Sequence, residues 1–345
     1  MRIAAVTAAF PSRRVTNDEI IDLVRARNAA AFEGDLERTL AELRMNLQLS
    51  GAVERRWLAA GERPIDLLDR AISAALHDAG VAPDDVELVV YVGICRGFTE
   101  PASAYLVAHA FGLRRSHCFD ILDACNSYAR AVFLVDSLFK TGAYRNALIV
   151  NAECSMVGKG QLDRMLRLPS SAHLEWTLPA FTVGEAATAT LLRADARPWE
   201  FCWDTAPELA DLCTAPQDGF EGFCRMTERI GRNGVRQFTS YGTELHARGG
   251  KKMAEVTSKL SVARDQIKIV LPHTSSRLPW KKFAQTMRFE DLMWYLYPEY
   301  GNIVSASIPA GLVTAQAAGR VEVGDRVVAV TGSAGASFVA LTFVL

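Results

Sequence analysis

Three residues far apart in the sequence have the types that acyl transfer requires. Cys125 ends the approach FDILDAC, and a run with helical spacing, NSYARAVFLV, follows at once. A thiol at a helix N-terminus lies among unpaired backbone N–H groups at the positive end of the macrodipole. These favour the thiolate and can hold the oxyanion of a tetrahedral intermediate. A thiolate is the nucleophile of acyl transfer. His273 directly follows the apolar run IKIVLP. It therefore falls on the loop beyond a strand's carboxyl end, where open α/β folds bind ligands. An imidazole there can give or take a proton near neutral pH. Asn302 stands in EYGNIVSASIPAGL, after Gly301 and ahead of a helix opened by small residues.

Each residue alone has an ordinary structural reading: a buried inert cysteine, a satisfied loop histidine, an N-cap asparagine. As a set they are a nucleophile, a proton-handling group and a neutral amide donor, which is coherent acyl-transfer machinery. Among the six histidines, His273 is the best placed; His77, His109, His117, His173 and His246 lack a comparable strand-end position.

The elements that must position these residues are legible as alternating strands and helices. Thr16 to Glu19 form a capping box that opens a helix, and residues 30–48 have helical spacing. A further helix over 65–79 ends at Gly80. The runs 86–92, 147–152, 186–192 and 267–271 read as buried strands, with a short strand over 116–122. Helices are expected over 101–112, from Cys125 to Lys140, and over 237–262. Residues 157–180 and 195–235 read as irregular. The order strand, loop, helix, then loop, helix, strand occurs twice. This implies two related halves, 1–195 and 196–345, with mostly parallel sheets covered by helices. Cys125 and Asn302 then fall at equivalent helix starts.

Composition sets limits. The chain has 345 residues, 50% of them apolar, and a formal charge of -1. A near-neutral chain lacks the basic face that nucleic acid or a membrane surface would want. No window is apolar enough for a membrane span. Pro11 breaks the N-terminal run too early for a secretory signal, so a cytoplasmic protein is expected. Seven cysteines with no CxxC argue against a disulfide framework or structural zinc.

These motifs resemble the thiolase superfamily, and most closely the 3-oxoacyl-ACP synthase III group, over nearly the whole chain. RRVTNDEI is similar to that group's VTNxEL segment, SGAVERR to TGIxxRR, FDILDACNSYARAV to FDIxAACSGFxxAL, and GEAATATLL to GDGAGAxVL. GNIVSASIPAGL is similar to GNTxSASxPxAL, and Pro272 to Ser276 stand where the group has PHQAN. The resemblance implies a duplicated α-β-α-β-α five-layered sandwich. It implies catalysis by Cys125, His273 and Asn302, with oxyanion amides from Cys125 and from Gly335 in GSAGASFVAL. Cys125 would carry an acyl group taken from acyl-CoA or acyl carrier protein. His273 and Asn302 would hold the thioester carbonyl of a malonyl-ACP-type extender through decarboxylation. The resemblance further implies a homodimer, no metal or redox cofactor, and an acidic carrier docking on Lys251, Lys252, Arg277, Lys281 or Lys282.

The departures matter too. Ser276 replaces the asparagine of PHQAN, the tryptophan expected before SGAVERR is absent, and Asn126-Ser127-Tyr128 replace Ser-Gly-Phe. Tyr128 is expected either to narrow an acyl tunnel or to pack. These point to a specialised relative. The alternatives are a non-decarboxylative acyltransferase, acting on an alcohol or amine with His273 as general base, or an inactive partner subunit.

Overall fold

The apolar runs pair into two sheets in the computed structural model, which describes all residues from Met1 to Leu345. The first sheet holds β1 (Arg2–Ala9), β2 (Leu88–Val92), β3 (His117–Ile121), β4 (Asn146–Glu153) and β5 (Ala186–Arg193), in the order β1-β5-β4-β2-β3. The second holds β6 (Glu200–Thr205), β7 (Ile269–Pro272), β8 (Arg326–Ser333) and β9 (Ser337–Val344), in the order β7-β8-β9-β6. Read from the other edge, the second sheet repeats the first. A lone bridge from Val270 to Met293 takes the place of the fifth strand. The fold is thus a duplication.

The helices are α1 (Asn17–Asn28), α2 (Leu36–Ser50), α3 (Pro64–Ala79), α4 (Ser103–Ala110), α5 (Ser127–Lys140), α6 (Gly242–Thr257), α7 (Arg277–Met287) and α8 (Ser307–Ala317). Burial assigns them to layers. Val132 and Val135 of α5 and Leu312 and Ala315 of α8 share one core with Ile149 of the first sheet and Leu341 of the second. Leu67 and Ile72 of α3, with Val107 of α4, cover the first sheet's other face. Val256 of α6 and Phe283 of α7 do the same for the second. Five layers follow, each large apolar side chain contributing roughly 1.5–3 kcal/mol by leaving water.

Three expectations need correction. The sheets are mixed, not mostly parallel: β2 runs parallel to β3 and β4, and β7 to β8, but the other pairs are antiparallel. The turn between β8 and β9 is too short for a crossover, so those strands must be antiparallel. The stretch 195–235 is not wholly irregular, because β6 lies in it and pairs with β9. The helix expected over 30–48 starts only at Leu36, after Asp35 caps it by accepting from Arg38 N–H at 3.0 Å.

Candidate active site

Two matching turns at the site each contain a residue with positive φ. After β3 the chain passes through Ala124, whose φ of +43° is unusual for a residue with a Cβ, into a short 3₁₀ turn, Ala124–Asn126, and then α5. Val304, with φ of +50°, opens the matching turn, Val304–Ala306, ahead of α8. Ser127 Oγ donates to Ala124 O at 2.7 Å and Ser307 Oγ to Val304 O at 2.6 Å, so the two turns are built alike. The residue equivalent to Cys125 is therefore Ser305. Asn302 lies before the turn, which corrects the equivalence expected from sequence.

The Cys125 turn is tied to the second half. Asn126 Nδ2 donates to Ser337 O and Oγ at 3.0 and 2.8 Å, and Ser333 Oγ donates to Asp123 O at 2.9 Å. Asp123 also pairs with Arg130, whose guanidinium stacks 3.7 Å over Trp203. Behind the turn, the buried Glu153 accepts from Ile94 N–H, Cys95 N–H and Ser305 Oγ–H. A Cβ on Gly93 would meet Glu153 Oε1 at 2.2 Å, which is why no larger residue fits there.

Cys125, His273 and Asn302 all line one cavity of about 2130 Å³. The volume exceeds that of an ordinary small-molecule pocket, roughly 300–1,000 Å³, and leaves space for more than one substrate group. Burial, then the neighbouring Cys213, Glu153 and Asp123, push the Cys125 thiol well above its ordinary range. This outweighs the helix N-terminus, so the expected resting thiolate is corrected: the sulfur rests protonated.

His273 lines the same cavity, and its hydrogen bonds fix its protonation state. Burial, and then the nearby His246, lower its pKa to about 3, so the ring is neutral. The single hydrogen of Ser307 Oγ goes to Val304 O, a carbonyl that can only accept. His273 Nδ1, 3.0 Å from the same Oγ, must then carry its own hydrogen, which leaves Nε2 unprotonated. Asn302 is oriented the opposite way. Its Oδ1 accepts from Val304 N–H at 3.0 Å, so Nδ2 is the end left to a ligand.

The ionisation of His273 predicts a stability profile. An unfolded imidazole titrates near 6.5 and the folded one near 3, so the native state binds fewer protons between those values. Its contribution is complete above the higher value and is lost as pH falls towards the lower. The melting temperature of the wild type should drop more steeply than that of His273→Gln between pH 6.5 and pH 4, as read by thermal melts at stepped pH.

Asn302 is held by backbone. Its N–H donates to Thr182 O at 2.8 Å and its O accepts from Gly184 N–H at 3.0 Å. A Cβ on Gly184 would lie 1.8 Å from Tyr300 O. Gly184→Ala should cost more than about 3 kcal/mol, seen as a lower urea midpoint, because backbone on both sides must move.

The other expected site residues divide. Ser276 lines the cavity, with Oγ 3.5 Å from Ser50 O. Tyr128 does not narrow it. The ring is buried in the central core, its hydroxyl 3.3 Å from Thr190 Oγ1 and its pKa pushed up to about 12 by burial. Gly332, Ser333 and Ala334 reach the cavity wall, whereas Gly335, at φ +124°, sits beyond them at the turn's tip. Lys251 and Lys282 stand at the cavity rim. Lys252 is paired with Asp204 at 3.3 Å, and Arg277 and Lys281 are exposed. No helix is long and apolar enough to cross a membrane. Sequence reasoning passed over His246, Ser275 and Cys213, which also line the cavity. The one signal for His246 was its place on the same helix face as Gly242 and Gly249, where small residues let another chain or a ligand come close.

Comparison with known proteins finds relatives along nearly the whole chain. Residues 258–345 match the family described as 3-oxoacyl-[acyl-carrier-protein (ACP)] synthase III C terminal. The chain is 26% identical over 298 residues to a β-ketoacyl-[acyl-carrier-protein] synthase III of Cereibacter sphaeroides, covering 81% of this chain and 83% of the relative. It is 24% identical to the enzyme of the same description from Clostridium beijerinckii, covering 99% and 98%. The chain is similar to 3-oxoacyl-ACP synthase III over nearly its whole length. Its fold matches Xanthomonas campestris OleA, solved with lauric acid and lauroyl-CoA, at a TM-score of 0.83 and 19% identity over 99% of this chain and 98% of that one. It also matches 3-oxoacyl-(acyl carrier protein) synthase III of Xanthomonas oryzae at 0.80 and 19%, over 99% and 98%. The Cys125, His273 and Asn302 segments thus lie in a 3-oxoacyl-ACP synthase III-like frame.

Proposed function

We propose that this 3-oxoacyl-ACP synthase III-like protein forms an acyl thioester on Cys125 and condenses it with a malonyl-type thioester. The observation that carries the reading is that Cys125, His273 and Asn302 line one cavity. In the first step the Cys125 proton passes to His273 Nε2 as sulfur attacks the donor thioester. The donor thiolate leaves and takes a proton from solvent. The imidazolium is now a donor at Nε2, and the extender's carboxylate supplies its counter-charge. Loss of CO2 leaves an enolate whose oxygen is held by Nε2–H and by Asn302 Nδ2. Its carbon attacks the acyl group, and the departing Cys125 sulfur recovers the proton from His273.

The donor would be acyl-CoA or an acyl carrier protein, the latter docking at Lys251, Lys282 and the exposed Arg277 and Lys281. A homodimer would join the first sheets at β3, an edge strand beside the exposed Leu122. The test loads the protein from acyl-CoA and then adds malonyl-CoA or malonyl-ACP. A 3-oxoacyl product is expected, and release of the unextended acid alone would overturn condensation. One observation favours a second reading, transfer to an alcohol or amine: the resting His273 presents a base, not a donor.

A further inference from the structure

A second hydrogen-bond relay opens onto the cavity beside His273. His246 Nδ1 lies 2.6 Å from Gly242 O, and a carbonyl can only accept, so Nδ1 carries the ring hydrogen and Nε2 is an acceptor. Ser275 Oγ stands 3.4 Å from that Nε2. It also accepts Trp280 Nε1–H at 2.8 Å, which leaves its hydroxyl hydrogen pointing to His246. Both His246 and Ser275 line the cavity that Cys125 lines. The directions are fixed in sequence: Trp280 donates to Ser275, Ser275 to His246, and His246 to the backbone. The 3.4 Å contact is long for an O–H···N bond and easily opened.

The pair offers a ligand an acceptor, His246 Nε2, beside a hydroxyl, Ser275 Oγ. A protic group with a lone pair, such as an alcohol or an amine, complements both at once; a hydrocarbon chain satisfies neither and would leave them unpaired. We propose that His246 and Ser275 form an acceptor subsite for a hydroxyl- or amine-bearing molecule that discharges the acyl group from Cys125, with His246 as its base. This rests on the acyl-Cys125 reading. The acceptor's heteroatom bonds to the acyl carbonyl carbon and its proton passes to His246 Nε2. The C–S bond then breaks, and the Cys125 thiolate leaves and takes that proton back.

The test uses the full chain loaded from acetyl-, octanoyl- or palmitoyl-CoA and freed of excess donor. Ethanolamine, which carries both protic groups, is the probe. Intact mass follows the Cys125 adduct, and the quantity read is the ratio of discharge rates with and without ethanolamine, which a merely structural defect would not lower. In the wild type the acceleration should saturate with ethanolamine and yield the acylated probe. The ratio should fall about 10²-fold in His246→Phe and in His246→Gln, the second keeping a polar head without a base, and several-fold less steeply in Ser275→Ala. An unchanged ratio in either folded His246 variant, or no saturable acceleration in the wild type, would overturn the subsite. No adduct on wild-type Cys125 from any donor would overturn the acyl-enzyme reading and the subsite with it.

Discussion

Incubated with acyl-CoA, the wild-type protein should gain one acyl mass on Cys125, and Cys125→Ala should gain none at that site. Turnover in the variant should fall on the order of 10⁴-fold or more, since an alanine leaves no atom to carry the acyl group. Placement counts for more here than intrinsic reactivity. Burial beside Cys213, Glu153 and Asp123 keeps this thiol protonated, so under the proposed function His273 must take its proton before it can attack. Cys224 is exposed and open to adventitious acylation, whereas Cys118 and Cys154 are buried. Peptide mapping must therefore place the adduct. An adduct on Cys125 that forms only in the folded protein supports the nucleophile, and equal labelling of Cys125→Ala at the same rate would refute it.

Much of the frame was legible because burial writes directly into sequence. The all-apolar run ending at Val92 had to be a buried strand, and the capping of α1 was readable from Thr16, whose Oγ1 accepts Glu19 N–H at 3.2 Å. The positions of Cys125 and His273 at element ends followed from the same punctuation. Strand direction was not legible, since β5 is buried almost throughout, as β2 is, yet runs antiparallel to both its neighbours. Nor was the offset between the two helix starts. It depends on Ala124 and Val304 adopting positive φ, which neither residue type announces. Tyr128 shows a further limit: helical spacing put it on α5 but could not say whether that face met the cavity or the central core. His246 was passed over for the same reason, because only the packed helix shows that its ring stands beside His273.

His273→Ala should remove malonyl decarboxylation by about 10³-fold while Cys125 acylation stays measurable, and this separates the two functions that the cavity permits. Decarboxylation needs donors on the enolate oxygen, and removing the imidazole leaves Asn302 Nδ2 alone. Acylation asks only that the thiol lose a proton, which solvent can accept more slowly, and the variant keeps the Cys125 backbone N–H proposed for the oxyanion. The neutral resting state of His273 sharpens the prediction. Because Nδ1 carries the hydrogen, the ring can donate to the enolate only after taking the Cys125 proton. Decarboxylation by the wild type should therefore be much faster once Cys125 is acylated than before, as measured by CO2 release from malonyl thioester with and without a loaded acyl group. If His273→Ala decarboxylates as the wild type does, the imidazole is not the enolate donor. The base reading, with an alcohol or amine as acceptor, then takes its place.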